Sequence, residues 1–119
     1  MSSLYDRVQE AAVSISKHFV GGPPQIGLIL GSGLGGYADK LASSRAIEYG
    51  KIPHFPRSHV AGHAGRLVLG TRNGARCVAI QGRVHMYEGH DAATVAFPAR
   101  VLIALGAKIL IITNAAGGL

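Results

Sequence analysis

Two short apolar runs, each opening directly into a glycine-rich loop, limit what this chain can fold into. Gln25-Ile26-Gly27-Leu28-Ile29-Leu30 runs into Gly31-Ser32-Gly33-Leu34-Gly35-Gly36. Lys108-Ile109-Leu110-Ile111-Ile112-Thr113 runs into Asn114-Ala115-Ala116-Gly117-Gly118-Leu119. Runs of this length suit buried strands. The second is almost wholly apolar, the pattern of a parallel strand covered on both faces. In open parallel sheets, ligands bind beyond the carboxyl ends of the strands, which is where both loops fall.

The remaining pattern supplies helices and a hairpin. Leu4, Val8, Ala11, Ala12, Ile15 and Phe19 recur at helical spacing over residues 3–19. Ser3 with Asp6 makes a capping box at the start, and Gly21-Gly22-Pro23-Pro24 ends the helix. A brief helical pattern follows the first glycine loop, with Tyr37, Ala38 and Leu41 on one face. Residues 46–65 read as a strand followed by a long loop interrupted by Pro53 and Pro56, and loops of that length are often functional. Leu67-Val68-Leu69 and Cys77-Val78-Ala79-Ile80 flank Asn73-Gly74, the strongest short-range hairpin signal. Residues 91–105 read as a helix that buries Val95, Leu102 and Leu105, is started or kinked by Pro98, and is ended by Gly106. The expected class is α/β: part of a mixed or parallel central sheet flanked by helices. No helix follows the last strand to cover it, so the sheet is expected to be incomplete at its C-terminus.

Composition narrows the function classes. The chain has 119 residues, 48% hydrophobic and 15% charged, which is too apolar for disorder and sufficient for one modest domain. No apolar run reaches the ~18 residues a membrane helix needs, and the charged start does not suit a signal peptide. Cys77 is the one cysteine, so no internal disulfide is possible and a cytoplasmic setting is expected. The net charge is +6. Arg45, Lys51, Arg57, Arg66, Arg72 and Arg76 crowd residues 45–76 against the single acid Glu48. With no Trp and no long basic run, stacking platforms for nucleic acid are scarce, and a small anionic ligand or a solvated basic face fits better.

Three segments carry the chemistry. The 31–36 loop satisfies G-x-G-x-x-G, and its backbone N–H groups at a helix start would hold an anion, with Ser32 adding a hydroxyl. A dinucleotide reading needs a second parallel strand ending in an acid about 20 residues on, and Glu48 is the sole candidate for it. Arg83, His85 and Tyr87 alternate, so in an extended chain they share a face that offers a guanidinium fork, a ring donor and a hydroxyl. Burying such a trio without a ligand is costly. The third segment is the 114–118 loop. Together the three suggest one oxyanion pocket. His63, between Gly62 and Gly65, is a lesser candidate. His54, His59 and His63 lack a Cys or acid nearby and make a poor zinc pattern, so no metal is expected.

These segments, with Ile52-Pro53-His54-Phe55-Pro56-Arg57-Ser58, Gly62-His63-Ala64-Gly65 and Gln81-Gly82-Arg83-Val84-His85-Met86-Tyr87-Glu88-Gly89, resemble the trimeric purine nucleoside phosphorylases, in the family's order and over almost the whole chain. The resemblance implies that residues 1–119 are the N-terminal part of a single nucleoside phosphorylase domain. It implies phosphorolysis of purine ribo- and deoxyribonucleosides to free base and (deoxy)ribose 1-phosphate in purine salvage. The transition state would resemble an oxocarbenium ion, and the enzyme would be a cytoplasmic homotrimer. Ser32, His63, Arg83, Val84, His85 and Ala115 would form the phosphate site, with Arg83 and His85 catalytic, Tyr87 on the ribose and Glu88 supporting Arg83 or His85. Phosphate is a co-substrate, and no cofactor, metal, membrane or nucleic acid is implied. Family chains continue well beyond this length, into a carboxylate and an amide that bind and protonate the base and a phenylalanine from a neighbouring subunit. On this reading the 119-residue chain alone is inactive. The competing readings are a truncated, non-catalytic oxyanion-binding fragment, a dinucleotide-binding module and, last, a basic RNA-binding domain.

Overall fold

The computed structural model describes residues 3–19, 21–29, 35–55, 65–81 and 92–112. They form helix α1 (Leu4–Ser16), strands β1 (Ile26–Ile29), β2 (Ala42–Glu48), β3 (Arg66–Arg72) and β4 (Ala75–Gln81), helix α2 (Ala92–Ala104) and strand β5 (Ile109–Ile112), with short 3-10 helices at Gly35–Lys40 and Tyr49–Lys51. The strands make one sheet in the order β2-β3-β4-β1-β5. β1 runs parallel to both β4 and β5, while β2, β3 and β4 pair antiparallel. The sheet is therefore mixed, as the sequence pattern implied.

Local chemistry sets the element ends. The Ser3 side chain accepts from the Asp6 N–H and the Asp6 carboxylate accepts from the Ser3 N–H, so the capping box closes at the N-terminus of α1. At the end of α2, Gly106 takes φ +112, its N–H donates to the Ile103 carbonyl, and Ala107 N–H donates to the Leu102 carbonyl. That pair of bonds satisfies carbonyls the helix would otherwise leave open. Between β3 and β4, Asn73 and Gly74 both have positive φ, at 51° and 83°. Such a turn matches the right-handed twist of the strands it joins.

Strand alternation sorts the core onto two faces. Leu67, Leu69, Val78, Ile80 and Ile29 face α1 and α2, which supply Val8, Ala11, Ala12, Ile15, Val101, Leu102 and Leu105. Tyr49, Ile52, Phe55 and Phe97 complete this larger cluster. Leu28, Val68, Cys77 and Ala79 face the other way, against Ala38 and Leu41. α2 carries the chain from β4 across β1 to β5, and Gly27 permits that crossing: a Cβ there would lie 2.9 Å from Leu110 Cδ1 and 3.2 Å from Leu102 Cδ1.

Four expectations change in detail. β2 starts at Ala42 instead of near Ala46, because its first residues pair through an irregularity between Ala42 and Arg45, with Ser43 at φ +52, and bury no apolar side chain for a pattern to detect. The segment after β2 is not simply a loop: Tyr49, Ile52 and Phe55 are core residues, and the Phe55 ring lies 5.0 Å from that of Tyr49 and 6.0 Å, edge-on, from that of Phe97. Pro98 does not start α2. The helix begins at Ala92 and runs through the ring, which is buried. Leu102 and Leu105 are buried as expected, while the side chain of Val95 lies outside the described residues. Finally, β5 is an edge strand among the described residues, with Ile109, Ile111 and Ile112 at 57%, 44% and 56% exposure. The double covering that its composition implies is not supplied by any described residue.

Candidate functional site

The topology brings three strand ends to one edge of the sheet. β1 lies between β4 and β5, all three parallel, with Ile29 in register with Ile80 on one side and Ile112 on the other. The chain that follows each end is one of the three segments singled out by their chemistry: residues 30–36 after β1, 82–91 after β4, 113–119 after β5. Ligand crevices in open sheets lie beyond carboxyl ends of this kind. Ser32, His63, Arg83, Val84, His85, Tyr87, Glu88 and Ala115 themselves lie outside the described residues.

The described residues show how the end of β4 is held. Gln81 is its last residue and is separated from Arg83 only by Gly82. The Gln81 side-chain oxygen accepts from Arg66 Nε, its register partner on β3. Arg66 Nη2 in turn donates to Asp39 Oδ1 at 2.9 Å. The Gln81 backbone carbonyl accepts from the Tyr49 hydroxyl at 3.1 Å. Tyr49 is buried, and burial pushes its hydroxyl well above the ordinary tyrosine range, so it stays protonated as the donor this contact needs. The side-chain oxygen and the backbone carbonyl of Gln81 are thereby fixed two positions before Arg83 in the sequence. Rigid support of this sort keeps ligand-binding side chains within the small tolerance that catalysis requires.

Tyr49, Gln81, Arg66 and Asp39 were not candidates on sequence grounds. For one pair the signal was available: a two-residue turn at Asn73-Gly74 fixes the register of the hairpin, and that register places Arg66 opposite Gln81. Tyr49 carried no such signal, because it sits in a short 3-10 turn outside any periodic element.

The dinucleotide reading fails on topology. β1 needs a parallel neighbour that ends in an acid. Its neighbours end in Gln81 and Ile112, and Glu48 closes β2, an antiparallel strand at the far edge of the sheet. His54 of the supposed zinc trio bonds Glu10 of α1 at 2.9 Å, while His59 and His63 lie outside the described residues. Among the described residues there is no cluster of three metal-ligating side chains, and no helix among them is long and apolar enough to cross a membrane.

Comparison with known proteins gives a consistent answer. The family described as the phosphorylase superfamily matches residues 25–119. The chain is 52% identical over 115 residues to the purine nucleoside phosphorylase of Rattus norvegicus, covering 97% of this chain and 38% of that protein. It is also 52% identical over 115 residues to purine nucleoside phosphorylase 1 of Bacillus subtilis strain 168, covering 97% of this chain and 42% of that protein. The solved structure of isoform 2 of purine nucleoside phosphorylase from Schistosoma mansoni, in complex with cytosine and ribose-1-phosphate, is similar with a TM-score of 0.83 and 44% identity, covering 92% of this chain and 38% of that one. The chain thus spans 38–42% of the length of these relatives.

Proposed function

Because this chain belongs to the phosphorylase superfamily, we propose that the protein containing it splits purine nucleosides with inorganic phosphate. One phosphate oxygen bonds to the anomeric carbon as the bond from that carbon to the base nitrogen breaks, with inversion. The products are the free purine, once its nitrogen is protonated, and ribose or deoxyribose 1-phosphate. The observation that carries this reading is the common edge at which β4, β1 and β5 end, each continuing into one of the three oxyanion-suited segments.

In this scheme the protein positions groups and stabilises charge more than it bonds covalently. Ser32 and the backbone N–H of Ala115 donate to phosphate from the two glycine-rich loops. Arg83 grips it with a planar fork, and His85 adds a ring donor. Val84 lies in the same segment and His63 borders the site. Tyr87 meets the ribose, and Glu88 orients Arg83 or His85. The phosphate dianion stabilises the positive sugar that develops as the base departs. No cofactor or metal is required. The working form is a cytoplasmic homotrimer, and the base-binding groups lie outside these 119 residues.

The test is phosphate-dependent cleavage of inosine. In the intact protein, Arg83→Ala should lower kcat/KM by about 10²–10³-fold, the usual cost of removing one donor from an oxyanion site. Unchanged turnover in that variant would overturn the assignment of Arg83. Absence of any turnover in the intact protein would favour oxyanion binding without catalysis. The 119-residue chain by itself should show no activity above its own Arg83→Ala control.

A further inference from the structure

The opposite end of the sheet holds a cavity that the proposed reaction does not use. It lies where the end of α1, the approach to β1, the start of β2 and the β3–β4 hairpin meet, and has a volume of about 190 Å³. Its described lining is amphipathic. Phe19 and Leu69 form an apolar floor, while Arg45, Arg76 and His18 supply basic groups, and no acidic side chain is among the described lining residues.

The two arginines differ in how they are held. Arg76 Nε donates to the Pro23 carbonyl at 2.8 Å. Its guanidinium lies over Gly22, where a Cβ would come within 3.5 Å of Nε and 3.6 Å of Cζ. The guanidinium is therefore set in place by one of its five N–H groups, and its other donors have no partner among the described residues. Arg45 has no ion-pair or hydrogen-bond partner among the described residues. It follows the irregularity in β2, whose Ser43, at φ +52, also lines the cavity. Such irregularities commonly re-aim side chains beside binding sites. A solvated basic face needs neither a concavity nor an apolar floor, and this surface has both.

We infer that this cavity is a second anion-binding site, separate from the strand ends, for a small phosphate monoester. The organic part of the ligand would rest on Phe19 and Leu69, with its oxyanion between Arg45 and Arg76. The volume lies below the ~300–1,000 Å³ of drug-sized pockets, so the organic part is at most a single small ring.

Phenyl phosphate is a suitable probe, with inorganic phosphate and phenol as its two halves. Calorimetric titration of the intact Arg83→Ala protein should show one phenyl phosphate bound per chain, more tightly than either half. Adding Arg45→Ala should weaken that binding at least about tenfold, the scale of a charged hydrogen bond, and Arg45→Lys should restore part of it. With Arg83 intact, the stoichiometry should fall from two per chain to one on Arg45→Ala, while inosine cleavage by that variant stays unchanged. Binding indifferent to Arg45→Ala, phenol binding as tight as phenyl phosphate, or no binding in the Arg83→Ala protein would each overturn the inference. Arg45 is exposed and lacks a described partner, so its removal leaves the fold intact.

Discussion

Tyr49 shows how much one side chain can do here. Its ring packs in the core against Phe55, and its hydroxyl fixes the last carbonyl of β4. Tyr49→Phe keeps the ring and removes the bond, so unfolding free energy should fall by about 1 kcal/mol, the net worth of one hydrogen bond. A pH signature follows as well. Burial raises the ionisation of this hydroxyl above its ordinary value of 10.0, and the buried Cys77 thiol is raised in the same direction from 9.0. The unfolded chain therefore gives up these protons first as pH rises. Folded stability is intact below the ordinary values and drains away above them. Urea midpoints should fall as pH rises past about 9 and more steeply past about 10, and Tyr49→Phe should remove the part that begins near pH 10. An equal slope in the variant would show that the hydroxyl is not the group concerned. Two glycines make a second residue-scale contrast. A Cβ at Gly70 would meet Leu41 Cβ at 2.7 Å and the Ala42 carbonyl at 3.1 Å, neither of which can swing aside. At Gly27 it meets the flexible ends of Leu110 and Leu102. Gly70→Ala should cost about 3 kcal/mol and Gly27→Ala about 1, read from the same urea curves.

At the scale of elements, the parts written by local chemistry were legible and those set by distant packing were not. The capping box of α1, the Asn73-Gly74 turn and the Gly106 stop each depend on residues within a few positions of one another, and each appears where the sequence puts it. Ser3→Ala should accordingly lower stability by about 1 kcal/mol, seen as a lower thermal midpoint, with Asp6→Ala adding less than its own separate effect because the two bonds close one box. The start of β2 was hidden because an edge strand with one buried residue, Ile47, carries almost no apolar period. The run through Pro98 was half legible: the helical pattern spans residues 91–105, but the ring was expected to start or kink the helix. A proline usually ends a helix, but α2 is held by the burial of Phe97, Val101 and Leu102 on the sheet, and that long-range packing outweighs the local rule. For the site, the glycine loops and the Arg-x-His-x-Tyr alternation were visible because their chemistry is local. Of the polar clamp on Gln81, the Arg66 contact follows from the hairpin register, while the Tyr49 contact, 32 positions away, carried no local signal.

For the molecule as a whole, the unusual feature is the edge at β5. Leu110 packs with the helical face of the core, so alternation puts Ile109 and Ile111 on the opposite face, and both are substantially exposed. β5 hydrogen-bonds to β1 on one side, and no described strand pairs with its other side. An apolar strand with an open row of backbone donors and acceptors is a template for pairing with another chain. The far edge differs. β2 is exposed too, but it carries Ser43, Ser44, Arg45 and Glu48 and an irregular register, features that discourage edge-to-edge association. The asymmetry gives a directional expectation. The 119-residue chain should self-associate through β5 and not through β2, detected as a weight-average mass that rises with concentration in sedimentation equilibrium. Replacing Ile109 and Ile111 together by lysine should suppress that rise while leaving the unfolding midpoint nearly unchanged, because neither side chain is buried. The matching pair of changes on β2, Ser44→Lys with Ala46→Lys, should leave the association as it was. If the β2 changes were the ones that abolished it, the exposed isoleucines would not be its cause, and the charges on β2 would have to be read as part of an interface instead of a guard on an edge.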